Sequence, residues 1–302
     1  MKKRILALLM AATMVFGLAA CGVEGDKKSD SAESTGSGAI GLAVSTQNNP
    51  FFVTLVEGAK KAAEEAGVEL VVVDAGDDAA KQTSDVEDLV SKQVSVLIVN
   101  PVDSDAIAPA VEDAMNAGIK VIAVDRAVNG VDIDCQIASD NVAGAEMATE
   151  YLKELVGEGA KVAELQGVNG ASATIDRGQG FHNVADSSLN VVASQTANFN
   201  RAEGLTVMEN MLQADAEIKG VFAHNDEMAL GAVEAVAGKD IVIIGFDATD
   251  DALAAVKEGT MAATVAQQPD KMGETAVATA IKLINGEEVE KSIPVEVTLV
   301  KE

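Results

Sequence analysis

Tryptophan is absent from this chain of 302 residues, tyrosine occurs once, and cysteine and histidine occur twice each. Basic residues are scarce too: 22 Lys and Arg face 48 Asp and Glu, a formal net charge of -26. A field of that sign repels phosphate backbones and excludes nucleic acid as a partner. The two histidines, His182 and His224, lie far apart and in no metal-ligand spacing. No Gly-x-Ser-x-Gly elbow and no P-loop occur. Arg177-Gly178-Gln179-Gly180 lacks the third glycine of a dinucleotide loop and follows no strand, and Asp132-Ile133-Asp134 is too short for a calcium loop. With no nucleophile–base pair and no metal cluster, the residues point away from an enzyme and call for no cofactor. Long apolar runs are also missing: the one continuous stretch, Ile5 to Ala20, is short for a membrane span.

That stretch follows Lys2, Lys3 and Arg4, so residues 1–20 read as a secretory signal segment. It ends in Leu18-Ala19-Ala20-Cys21, which resembles the lipobox of bacterial lipoproteins. The resemblance implies cleavage before Cys21 and lipidation of its thiol, on the outer face of the cell membrane. Loss of three basic residues would take the net charge from -26 to about -29. Residues 21–38 are rich in Ser, Gly, Asp, Glu and Lys with almost no apolar content, as a flexible tether requires. With Cys21 acylated, Cys135 has no disulfide partner and reads as a small core residue.

Over the whole chain, 48% hydrophobic and 23% charged residues describe a globular protein with enough apolar surface to fold. Short β-branched runs alternate with helically spaced stretches. The strands are read at Ile40–Val44, Leu70–Val73, Val96–Val99, Lys120–Val124, Val162–Leu165, Val191–Ser194, Gly220–Ala223, Ile241–Gly245 and Ala262–Ala266, with a further strand-like Cys135–Ser139. Phe52, Leu55, Val56 and Ala59 show the helical period. The pattern predicts an α/β fold of two doubly wound, parallel-sheet, Rossmann-like lobes, because that many strands overfill one core. The first lobe boundary falls near Ala138–Asn141, without a linker.

Ligands bind at the carboxyl ends of parallel strands. The first predicted strand is followed by Ser45-Thr46-Gln47-Asn48-Asn49-Pro50-Phe51-Phe52, the third by Asn100-Pro101 and the fourth by Asp125-Arg126. Later ones lead to Asn225-Asp226, Asp247 and Gln267-Gln268. These amides, carboxylates and guanidiniums are planar groups with two hydrogen-bonding positions, suited to vicinal hydroxyls of a sugar. Each also has a structural reading. Asn49 before Pro50 is a helix-start signal, Asp226 a candidate cap, Asp247 a turn former, Asp74 a structural loop residue and Arg177 an exposed helix residue. Phe51 and Phe52 point about 100° apart on a helix, so at least one faces the crevice. His224 reads equally as a crevice residue and as a surface strand end.

The segments 45–52, 100–106, 125–126, 137–141, 164–167, 177–181, 225–231, 245–247 and 266–270 resemble, in order and spacing, the bacterial ribose-binding proteins of ABC transporters. The resemblance covers about Ile40 to Val300. It implies two lobes joined by a three-strand hinge: 39–139 plus 268–296, and 140–267 plus 297–302. Crossings would fall near Ser139–Asp140, Gln267–Gln268 and Pro294–Val297. It further implies a ligand set of Ser45, Asn49, Phe51, Phe52, Asn100, Asp125 and Arg126 from the N-terminal lobe. The C-terminal lobe would add Arg177, Phe199, Asn225, Asp247 and Gln267. The expected ligand is D-ribose, with allose, psicose or a furanosyl signalling molecule as alternatives. The expected role is that of a monomeric, lipid-anchored binding protein that closes on the sugar and serves an ABC permease, or less directly a chemoreceptor. The chain departs from the family pattern at Ala173–Asp176, which is less basic, at a short connection over Val236–Asp240, and at His224, which stands in place of an amide. A sugar-responsive repressor core shares the expected fold, but a signal segment replaces its DNA-binding head.

Overall fold

The computed structural model describes residues 38–301. The signal segment, Cys21 and nearly all of the tether lie outside them; Gly38, the tether's last residue, donates its N–H to Ser95 Oγ. The N-terminal run comprises β1 (Ile40–Val44), α1 (Pro50–Ala66), β2 (Leu70–Asp74), α2 (Ala79–Ser91), β3 (Val96–Val99), α3 (Ala108–Asn116), β4 (Lys120–Val124) and β5 (Cys135–Ser139). It continues into α4 (Asn141–Val156), β6 (Lys161–Gln166), α5 (Ser172–Ser188), β7 (Asn190–Thr196), α6 (Arg201–Ala214), β8 (Gly220–Ala223), α7 (Asp226–Ala235), β9 (Val242–Asp247), α8 (Asp250–Lys257) and β10 (Ala263–Ala266). Helix α9 (Pro269–Ile284), β11 (Ser292–Val295) and β12 (Thr298–Lys301) complete the described chain.

Two doubly wound sheets result. The first has the order β11-β5-β4-β3-β1-β2, every neighbouring pair parallel. The second has the order β12-β10-β9-β8-β6-β7, parallel except for the antiparallel β10–β12 pair. Strand sides alternate between two cores. Ile40, Leu42 and Val44 face one core with Val96 and Ile98, while Ala43, Leu97 and Val99 face the other. Burial on both faces is the reason these strands read as unbroken apolar runs.

The chain passes from one sheet to the other after β5, again after β10, and between β11 and β12. After the second passage α9 packs on α1, where Gly58 and Gly273 let the backbones meet: a Cβ on Gly273 would lie 2.1 Å from the Leu55 carbonyl oxygen. Strand composition alone did not reveal β11 and β12. Both are edge strands with half-exposed residues, and β11 contains Pro294, which a ladder tolerates only at an edge. Asp74 ends β2 rather than lying in the following loop, and its Oδ1 accepts from the Gly76 N–H. Cys135 is buried in the first core. No helix among the described residues is long and apolar enough to cross a membrane.

Candidate functional site

The strand ends of both sheets meet at a cleft with a small, partly open cavity lined by Phe51, Phe52, Asp125, Arg126, Ala173, Arg177, Phe199, Asp247 and Gln267. Two wider grooves share its walls. One, of about 900 Å³, runs past Phe51, Asp247 and Gln267 to Asp250, Asp251 and Asp270. The other, of about 670 Å³, runs past Phe52, Arg126 and Phe199 to Asn48, Asp77 and Asn198.

The first sheet presents Asp125 at the end of β4 with φ at 64°, a left-handed turn that aims its side chain into the cleft. Asn100 stands behind it, donating through Nδ2 to Asp125 Oδ2 at 3.1 Å and accepting the Ser45 N–H at 3.2 Å. Arg126 donates through NH1 to the Pro101 carbonyl at 2.9 Å and lies between Phe52 and Phe199, 5.1 and 5.3 Å from their ring centroids. Its Nε is 3.7 Å from Asp125 Oδ2, beyond a hydrogen bond, and is buried without a partner.

The second sheet presents Asp247 and Gln267 at the ends of β9 and β10, joined by a 2.7 Å hydrogen bond from Gln267 Nε2 to Asp247 Oδ1. Arg177 comes from α5. It is buried against the Phe246 ring at 3.8 Å and donates to Asn141 Oδ1 at 2.8 Å and to the His224 carbonyl at 2.5 Å. Its NH1 stays 3.8 Å from Asp247 Oδ1. Both carboxylate–guanidinium pairs are thus close enough to offset charge and too far apart to consume each other's hydrogen-bonding positions. Burial raises the Asp125 and Asp247 carboxyls above their usual range, against the pull of the nearby arginines. Burial also lowers Arg126 and Arg177.

Ser45 Oγ, Ser139 Oγ, Thr174 Oγ1 and Gln267 Oε1 are buried without hydrogen-bond partners, as is Arg126 Nε. A buried polar group left alone costs about 1–3 kcal/mol, and Arg126 Nε and Gln267 Oε1 belong to residues lining the cavity, one from each sheet, where a polyhydroxy molecule can pair them. The remaining sequence-selected residues do structural tasks as well. Asn49 caps α1, accepting the Phe51 N–H at 2.9 Å, and Asn225 caps α7, accepting the Met228 N–H and donating to the Phe199 carbonyl. Asp226, read as a candidate cap, is instead the first residue of α7; its carboxylate accepts from Thr249 N at 2.8 Å and Thr264 Oγ1 at 2.6 Å.

His224 is neither at the surface nor on the cavity wall. It is fully buried with Nε2 2.8 Å from Glu164 Oε1, while His182 reaches the other oxygen of Glu164 at 3.5 Å. Burial holds the His224 imidazole below its usual pKa; burial would raise Glu164, but His224, Ser194 and His182 together hold the carboxyl low. Arg177 proves buried rather than exposed. Asn141, which orients it, escaped the sequence reading as a functional residue because its signature is that of a helix-opening loop.

Comparison with known families agrees with this geometry: the periplasmic binding protein domain matches residues 40–288. The chain is 49% identical over 297 residues to the ribose import binding protein RbsB of Bacillus subtilis, covering 97% of each. It is 47% identical over 266 residues to the protein of that name from Haemophilus influenzae, covering 87% of this chain and 91% of the relative. Among solved structures it resembles an ABC transporter solute binding protein from Bacillus halodurans with bound myo-inositol. The TM-score is 0.84 at 34% identity, over 88% of this chain and 95% of that one.

Proposed function

The chain belongs to the periplasmic binding protein family, and we propose that it captures D-ribose between its two lobes and delivers it to an ABC importer. The observation that carries this reading is the matched set of buried, partly unpaired groups on opposite sides of one small cavity. Asp125 and Arg126 face Arg177, Asp247 and Gln267 across it. Each carboxylate accepts from a sugar hydroxyl. Arg126 Nε and the free NH positions of Arg177 donate to hydroxyl and ring oxygens, and Gln267 Oε1 accepts. Phe51, Phe52 and Phe199 cover the apolar faces of the ring. Ser45, Asn49, Asn100 and Asn225 complete the site from behind, holding the loops that carry these groups. A sugar that spans both lobes favours the closed form, which is what a permease recognises.

Ribose is favoured over other sugars by the relatives' names and by the absence of tryptophan, the usual stacking platform for hexoses. The lobes are 39–139 plus 268–296 and 140–267 plus 297–302, and they hinge at the three inter-sheet passages. A lipid on Cys21 keeps the domain beside the membrane, with residues 21–38 as its tether. A second reading, a cyclic polyol, draws on the myo-inositol held by the structural relative. Thermal denaturation in the presence of pentoses, hexoses and myo-inositol tests the choice. The expected outcome is a large upward shift with ribose alone; a larger shift with myo-inositol would assign the site to the polyol, and no shift with any of them would reject a sugar site.

A further inference from the structure

Helix α5 begins without a cap of its own. Ala171 occupies its N-cap position and offers no side-chain acceptor, whereas α1, α2, α4, α6 and α7 are capped by an Asn or Asp of their own loops. An uncapped start leaves backbone N–H groups unsatisfied. The opposite lobe supplies the acceptor. Ser104, fully buried in the loop after β3, accepts the Ser172 N–H on its Oγ at 3.1 Å. The Ser104 N–H donates to the Gly170 carbonyl at 3.0 Å, and Ser172 Oγ accepts the Ala127 N–H at 2.8 Å. Three hydrogen bonds therefore join β3 and β4 loops of the first sheet to the β6–α5 loop of the second, and none of their residues lines the cavity.

The surrounding loops are shaped for this approach. Gly170 has φ at +87°, and a Cβ there would lie 2.2 Å from Asp103 Oδ2. Asp103 cannot easily yield, because its Oδ1 accepts the N–H groups of Asp105 and Ala106. Ser104 is held from its other side by the Asn129 N–H, which donates to its carbonyl at 2.9 Å. Arg177 lies about one and a half turns along α5 from Ser172, so the helix start that Ser104 completes belongs to the helix presenting that guanidinium.

We infer that Ser104, Gly170 and Ser172 form a cross-lobe latch, which caps α5 only in the closed form and sets the balance of closed against open irrespective of the sugar bound. The inference rests on the reading that the lobes close around a ligand. A ligand that binds only the closed form gains or loses apparent affinity with the closed fraction, and one net hydrogen bond shifts such a balance about fivefold. These are positioning residues, distinct from those that touch the sugar.

The test uses the full chain and its Ser104→Ala and Ser172→Ala variants. Calorimetry with D-ribose and with D-allose is paired with hydrogen–deuterium exchange of the peptide spanning residues 168–176. Each variant is expected to raise Kd for both sugars by a similar factor of about five, leaving their ratio unchanged, and Ser104→Ala is expected to accelerate exchange at the Ser172 amide under saturating sugar. Unchanged Kd and exchange in both variants would overturn the latch. Losses that differ between the sugars would also overturn it, since they make the serines part of recognition. If the wild-type chain binds neither sugar, the ribose reading fails; the latch is then decided under saturating myo-inositol, where equal exchange rates in wild type and Ser104→Ala reject it.

Discussion

Arg126 concentrates the chemistry of the cleft in one side chain. Its guanidinium is buried, stacked between Phe52 and Phe199, tied to one carbonyl, and left with Nε unpaired beside Asp125. Truncation removes the donor and strands the Asp125 carboxylate, a loss of about 3–5 kcal/mol for a broken buried pair. Arg126→Ala should therefore weaken ribose binding at least 100-fold by calorimetry; wild-type affinity would remove Arg126 from the site. Two glycines give a sharper contrast. A Cβ on Gly167 would sit 2.0 Å from Phe199 Cζ, so Gly167→Ala should push that ring across the cavity and weaken ribose about tenfold. On Gly178, within α5, the nearest atoms lie 3.5 and 3.6 Å away, so Gly178→Ala should leave binding intact and add about 0.5–1 kcal/mol of stability in urea unfolding. The strand-end polar residues were visible in the sequence, but their division of labour was not. Asn100 and Asp125 are both amide- or acid-bearing loop residues, and only the hydrogen bond between them shows which one supports and which one faces the cavity.

At the level of elements, α7 is tied to its neighbours by one buried acid. Asp226, its first residue, accepts from Thr249 at the start of α8 and from Thr264 in β10, so one carboxylate holds three elements in register beneath Asp247. Burial raises this carboxyl from 3.8 to about 7, against the donated hydrogen bonds of Thr264 and Thr249. Between those values the folded chain retains a proton that the unfolded chain has released. The group's contribution is thus fully present at acid pH and declines as pH rises toward about 7. Asp226→Asn does not titrate. Its stability relative to wild type should improve from about pH 4 to pH 7 and level off above that, read as urea midpoints; a difference independent of pH would refute the assignment. Inner strands were legible because burial on both faces demands continuous β-branched runs. The edge strands β11 and β12 were not, since exposure relaxes that demand and Pro294 argues against a strand anywhere but an edge.

Across the whole molecule, each lobe has a sheet with cores on both faces, and the two are linked by three short passages and the loops around the cavity. A ligand bridging the lobes stabilises both at once. Ribose at one hundred times Kd should add about 2.7 kcal/mol to unfolding and bring the two lobes into a single transition in calorimetry. A ribose-stabilised lobe unfolding apart from an unaffected one would contradict a ligand shared between them.

The one-dimensional pattern determined the α/β class, the acidic character of the chain and the loops that end in polar residues, because periodicity, charge and strand-end position are local properties. Tertiary structure decided the rest. It placed Asp125–Arg126 within reach of residues more than fifty positions away, buried Arg177 and His224, and set Ser104 against the start of α5. None of these has a local signature, since each depends on two sheets meeting at their carboxyl ends, where side chains distant along the chain become neighbours and water is excluded from their charges.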